Sequence, residues 1–106
     1  MPIFFNVKPV REFLIKNGFV YTLRKRRGRV GNDVAVHGSY YKRKTIAKVF
    51  ILEVPIGKIE NSEMLTGFFD ESGLKSSASE WFELAKKLSG EELYLYKVTI
   101  REPKSI

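Results

Sequence analysis

The longest apolar run of the chain extends from Thr45 to Ile56 and is rich in β-branched residues. Side chains branched at Cβ pack well on a pleated sheet and are less favourable in helices. The run therefore predicts a long, central strand. Pro55 has no backbone N–H to donate to a neighbouring strand, so we expect the strand to be broken near that residue.

Two other segments have the apolar spacing of helices. The first runs from Pro9 to Lys16 and is stopped by Asn17-Gly18. The second begins after Ser77, which has capping-box spacing with Glu80, and is ended by Gly90. The residues that form the two apolar faces are Val10, Phe13 and Leu14 in the first helix, and Ala78, Trp81, Leu84, Ala85 and Leu88 in the second. We expect both faces to pack against the core.

Short strands separated by these helices predict the architecture. The further strands are expected at residues 2–7, 19–24, 33–38 and 93–101. Gly31-Asn32-Asp33 is typical of the turn before the third of them, and residues 57–77 predict a surface excursion with one helical turn at 62–65. This order predicts an α+β fold: a small, mostly antiparallel β-barrel with two main helices closing it, in a single domain of residues 1–106.

The composition excludes several kinds of site. The chain contains no cysteine and one histidine, so disulfides, thiolate metal sites and multi-histidine metal sites are excluded. No apolar run approaches the roughly 20 residues that span a bilayer. We therefore expect no cofactor, no metal, no membrane association and a cytoplasmic location. His37 is interpreted as a packing or hydrogen-bonding residue.

The net charge of +7 is concentrated in one region. Between Arg24 and Lys48 there are nine cationic residues and one acidic residue, Asp33, whereas the rest of the chain has ten cationic and eleven acidic residues. Clustered positive charge is typical of a binding face for a polyanion. The alternative interpretation is that these are solvated loop charges without a partner.

Two short segments supply most of this charge. In the first, a loop expected between two strands, arginines predominate, and their planar forks engage phosphate oxygens in pairs. In the second, two tyrosines precede three cations, so a base can stack while the cations hold the backbone; we expect one of the two tyrosines to be buried. The predicted nucleic-acid contacts are Arg24, Lys25, Arg26, Arg27, Arg29, Tyr40, Tyr41, Lys42, Arg43 and Lys44.

The order of these elements resembles the PUA-like superfamily, and within it the ASCH-type domains. The residues that carry the resemblance are Asn17-Gly18 at the helix end, Tyr21–Arg24, Val30–Val34 in place of the Gly-Asp turn, Ile46–Val54, and Trp81 before Leu93–Ile100. The resemblance implies a small β-barrel with a cleft between barrel and helices. Relatives use this cleft for RNA or modified nucleotides.

In ASCH-type domains the strand after the glycine carries a lysine and then a Glu-x-Arg or Thr-x-Arg pair that points into the cleft. Thr22 and Arg24 match the pair, so the resemblance adds Thr22 to the predicted RNA-binding residues, but Val20 stands where the lysine is expected. Some bacterial relatives are amidohydrolases of an acetylated cytidine that use a lysine, a threonine and a glutamate. Without the lysine, Thr22 has no evident activator, and Glu53 and Glu80 both remain candidates for the glutamate.

The sequence thus predicts a nucleic-acid-binding module, for RNA rather than DNA, that grips the phosphate backbone with a basic loop beside a barrel cleft. The preference for RNA rests on the resemblance, because charge alone does not distinguish the two. Two alternatives stay open: a small hydrolase acting on a modified nucleoside, and a protein-interaction domain that docks an acidic partner. The oligomeric state is not predicted.

Overall fold

The computed structural model describes residues 3–25, 30–39, 41–74, 77–90 and 92–101. Within these residues the chain forms a small α+β fold of one sheet and two main helices, as predicted. The elements in chain order are β1 (Ile3–Phe4), α1 (Lys8–Asn17), β2 (Phe19–Lys25), β3 (Gly31–Gly38), β4 (Arg43–Ile59), α2 (Ala78–Ser89) and β5 (Leu93–Ile100). Two short 3-10 helices, Ser62–Leu65 and Phe69–Glu71, lie between β4 and α2. The first of them is the helical turn expected at 62–65.

The sheet has the strand order β1-β3-β4-β5-β2. Only the short β1–β3 pair is parallel among the described strands, so the sheet is mostly antiparallel, as predicted. The closed barrel that we expected is wrong, because the sheet curls only into a half-barrel with β1 and β2 at its two edges. β1 is two residues long and β2 seven, so β1 is too short to close the ladder along β2.

β4 is the long, central strand that the apolar run predicted, and it pairs with β3 on one side and β5 on the other. β4 itself continues past Pro55 to Ile59, so the expected break of the strand is wrong. What is interrupted near Pro55 is the pairing with β5, whose register shifts between Glu53 and Lys58. The turn predicted at residues 31–33 is wrong: Gly31 already pairs with Ile51. The ladder with β4 extends β3 two residues earlier than its local pattern indicates.

Apolar clusters lie on both faces of the sheet. On one face, here called the α1 face, Val10 and Leu14 of α1 pack with residues such as Val20 and Val98. On the opposite face, Leu23 and its neighbours pack with α2 and the first 3-10 helix. β2 is therefore buried on both sides, which explains why its sequence pattern did not show which side faces the core.

Both helices begin or end as their sequences predict. Gly18 ends α1 in the left-handed conformation, with φ of 83°, and its N–H donates to the carbonyl of Leu14. At the start of α2, the Ser77 hydroxyl accepts a hydrogen bond from the backbone N–H of Glu80 at 3.1 Å. Neither helix, in the described part of the chain, is long and apolar enough to cross a bilayer.

Candidate nucleic-acid interface

A cleft of about 250 Å³ lies at the open seam of the half-barrel. Residues from both edges of the sheet and from α2 line it, so it occupies the gap between β1 and β2. The lining residues are Phe4, Phe5, Asn6, Val7, Val10, Thr22, Leu23, Arg24, Leu74, Trp81, Leu84, Ala85 and Leu88. The pair that the sequence placed in a cleft, Thr22 and Arg24, is among them.

The Arg24 guanidinium is held in a defined orientation in this cleft. Its Nε donates a hydrogen bond to Thr22 Oγ1 at 3.0 Å, a contact that the alternation of β2 permits because both side chains project from the same face. Its Cζ also lies 5.0 Å from the centroid of the Phe5 ring, within the range of a cation–π interaction. Because Phe5 follows β1 and Arg24 lies on β2, this contact spans the seam between the two edges of the sheet.

Hydrophobic walls enclose the polar pair. Trp81, which the sequence assigned to the core, is 4% exposed and forms a wall of the cleft. Leu88 belongs to the same predicted apolar face of α2, but it is 65% exposed at the cleft instead of packed in the core. The prediction for Leu88 is wrong because α2 packs against the sheet mainly through Trp81 and Ala85, one to two turns before its end.

The glutamates considered for hydrolysis lie outside this cleft. Glu53 accepts a hydrogen bond of 3.4 Å from the hydroxyl of the fully buried Tyr96, which stands between Glu53 and Thr22 in the sheet register. Glu80 is exposed in the first turn of α2. Among the described residues that line the cleft there is no lysine and no glutamate, and Val20 is fully buried in the core.

The second basic segment stands next to the cleft. Asn6 lines the cleft and makes two hydrogen bonds with the backbone of Gly38: its Nδ2 donates to the carbonyl at 3.0 Å, and its Oδ1 accepts from the N–H at 2.7 Å. Gly38 pairs with Arg43 at the base of the hairpin that joins β3 to β4. At the hairpin tip Tyr41 is 92% exposed, and the cations from Lys42 to Lys44 are exposed as well.

Some of the predicted binding residues therefore lie near one another. Thr22 and Arg24 share the cleft, Lys25 ends β2 with an exposed side chain, and Tyr41–Lys44 form the neighbouring hairpin. Arg43 and Lys44 lie in β4, which begins two residues before the predicted start at Thr45. The remaining predicted contacts, Arg26, Arg27, Arg29 and Tyr40, lie outside the described residues.

Sequence reasoning missed the contribution of the N-terminal segment. Phe4, Phe5 and Asn6 were interpreted only as a strand, yet they form one wall of the cleft and its connection to the hairpin. No local signal in the sequence could have shown this, because the contacts join residues 32 positions apart. His37 is half-buried and lines a separate groove beside the end of α1.

The cleft combines groups suited to a flat, polar ligand. Its accessible apolar wall includes Leu88, whereas Phe5 and Trp81 are 1% and 4% exposed, and the oriented guanidinium of Arg24 and the Asn6 amide are hydrogen-bonding groups at its edge. No cluster of three or more metal-ligating side chains is found in the described ranges.

Comparison of the whole chain with protein-family models, with curated proteins and with solved structures finds no match in any of the three. Functional assignment accordingly depends on the residues of the chain itself.

Proposed function

We propose that this domain binds RNA, holding the phosphate backbone with the 24–29 and 42–44 segments and admitting one base to the cleft. One observation carries the proposal: the cleft that contains the oriented Arg24 is joined through Asn6 to the exposed, cationic hairpin. A site for a base and a site for phosphates are thus neighbours. Stacking and hydrogen bonding of an unpaired base, with cations on the backbone, is the usual mode of RNA recognition.

The size of the cleft favours a single base as its occupant. Pockets that enclose drug-sized ligands typically measure about 300–1,000 Å³. The cleft measures about 250 Å³, below that range. A cleft of this volume suits a base better than a whole nucleotide. The phosphate attached to the bound base would remain outside, on the side of the basic residues.

The contacts of Thr22 favour binding over hydrolysis. To act as a nucleophile, its hydroxyl needs a general base to accept its proton. The partner that the structure places 3.0 Å from Thr22 Oγ1 is the Arg24 Nε, which stays protonated and can only donate. This arrangement orients the guanidinium toward a ligand and does not activate the threonine.

We also propose that the half-barrel is a PUA-like domain of the ASCH type. Support comes from the order of its elements: a helix ended by Gly18, a strand that carries Thr22 and Arg24 into a cleft, a long β4, and a late helix with Trp81 before β5. The position of β5 between β4 and β2 is consistent with a barrel that has opened at one seam. A preference for RNA over DNA follows from this proposal and not from the charges.

Fluorescence anisotropy with labelled single-stranded RNA, hairpin RNA and duplex DNA at several salt concentrations tests the proposal. Replacing Lys42 and Lys44 with Glu should weaken binding and flatten its salt dependence, since each phosphate contact on a single strand contributes about 0.7 to the slope of log K against log salt. The matched control replaces the exposed Lys58 and Lys87 with Glu, which changes the net charge equally at the far end of β4 and on α2. A parallel variant, Arg26→Glu with Arg27→Glu, tests the first basic segment.

The cleft is tested separately with Arg24→Lys, which keeps the charge and removes the planar fork. We expect RNA binding to weaken about tenfold or more with an unchanged salt slope, the loss corresponding to a charged hydrogen bond of about 1.5–3 kcal/mol. If none of the three nucleic acids binds at low salt, the proposal is wrong. Equal losses in the hairpin variant and its matched control would show that only net charge matters.

A further inference from the structure

The sheet face opposite α1 is covered over only part of its area. Near Leu23 and Leu95, α2 and the 3-10 helices cover it. Farther along β4, Phe50 and Leu52 project from the same face and are 44% and 52% exposed. These are large apolar side chains on the central strand of a sheet, a position that is ordinarily buried.

Cationic and polar side chains surround this exposed pair. Lys97 stands opposite Leu52 in the register, and Lys48 is the next residue of β4 on the same face. Thr99 and Asn32 flank Phe50 on the two neighbouring strands. We call Lys48, Phe50, Leu52 and Lys97 the open sheet face.

No acidic side chain of the strands that flank this area shares the open sheet face. The acidic residues of β3 and β4 in the described ranges are Asp33 and Glu53, which alternate onto the α1 face, and Glu53 is bonded there to buried Tyr96. Lys97 is also held in place, with its Nζ 5.2 Å from the centroid of the Phe19 ring. The face therefore offers an exposed aromatic ring and an aliphatic neighbour, with two lysines and no carboxylate of the described strands beside them.

We infer that the open sheet face is a stacking platform for unpaired bases of a single-stranded nucleic acid, an inference that rests on the proposed function and extends it to a second contact area. Exposed aromatic rings stack on any base, and cations beside them hold the backbone. A second copy of the chain is a poorer occupant, because it would bring two cationic faces together in a protein of net charge +7. A single-stranded nucleic acid is anionic and therefore matches the positive charge of the face.

The position of the platform sets a requirement on the length of the bound strand. Lys44 at the hairpin and Phe50 on the open sheet face belong to the same strand, about 20 Å apart at 3.3 Å per residue. A single-stranded nucleic acid held at the hairpin reaches Phe50 only if it continues along β4. Short oligonucleotides should therefore bind without the platform and longer ones with it.

The test compares Phe50→Ala with Ile15→Ala, a matched control that truncates a similarly exposed apolar residue on α1. We expect Phe50→Ala to weaken binding of a long single-stranded RNA by about fivefold or more, and to leave short oligonucleotides, duplex DNA and the control unaffected. An unchanged affinity for the long strand would overturn the inference even where RNA binding itself is observed. Absence of all binding would instead overturn the proposed function.

Phe50→Trp supplies a direct readout that does not depend on affinity. The natural Trp81 also emits and lines the cleft, so the platform is reported by the change in emission relative to the natural chain. We expect oligouridine to quench the emission of Phe50→Trp more strongly than that of the natural chain, and to quench an Ile15→Trp variant no more than the natural chain. Light scattering completes the test. If the chain forms a dimer that Phe50→Ala dissociates, and Phe50→Trp is quenched no more than the natural chain, the face belongs to a second copy and the platform is refuted.

Discussion

Replacing Gly73 with alanine should strongly destabilise the fold. Gly73 has φ of +86°, and a Cβ built on it would lie 2.7 Å from Val10 Cα, 2.8 Å from the Pro9 carbonyl oxygen and 2.9 Å from Phe13 Cβ. Two of these atoms belong to the backbone of α1, which cannot rotate away. The close approach positions the next residue, Leu74, in the wall of the cleft.

The expected cost has two parts. A residue with a Cβ in the left-handed region costs about 1–2 kcal/mol, and forcing additional volume into a packed contact costs about 1–3 kcal/mol. Gly73→Ala should therefore lower the free energy of unfolding by about 2–5 kcal/mol, a large share of the roughly 5–15 kcal/mol of an ordinary domain. At about 4 °C per kcal/mol for a chain of this size, Tm should fall by about 8–20 °C.

Substitutions of two other glycines distinguish the cost of backbone strain from the cost of the contact with α1. Gly57 also has positive φ, at +76°, but a Cβ there has nothing within 4 Å, so Gly57→Ala should cost only the strain of about 1–2 kcal/mol. Gly67 does not have a left-handed φ, and a Cβ built on it has no atom within 4 Å. Gly67→Ala should therefore be neutral or stabilise the fold by up to about 1 kcal/mol. Urea denaturation of the three variants measures the differences. A Gly73→Ala variant no less stable than Gly57→Ala would refute the contact with α1.

Two further predictions concern local hydrogen bonds. Ser77→Ala removes the cap of α2 and should lower the free energy of unfolding by about 1 kcal/mol; urea denaturation should show little change for the control Ser79→Ala, and equal effects would count against the cap. Asn6→Ala removes both bonds to Gly38, so hydrogen exchange at the Gly38 amide should accelerate while the Gly18 amide, bonded to Leu14, keeps its protection. Unchanged exchange at Gly38 would show that Asn6 does not hold the hairpin.

The candidate site was predictable only where its residues are neighbours along the chain. The Thr22 and Arg24 pair lies in the cleft because residues two apart on a strand share a face. The walls formed by Phe5 and Asn6 were not predictable, since they meet Arg24 and Gly38 across the seam. The exposure of Phe50 was equally hidden, because an apolar residue in a β-branched run is ordinarily a core residue.

By itself the sequence determined which elements form and where the helices stop and start, from the stop at Gly18 to the cap at Ser77, because propensity and capping act over a few residues. Only the tertiary structure decided that the sheet stays open, that a cleft fills its seam, and that one face of β4 is left uncovered. Those features depend on which strands pair and how long each ladder can run. The two residues of β1 could not close the barrel, and the open seam is what lets Arg24 meet Phe5 beside the basic hairpin.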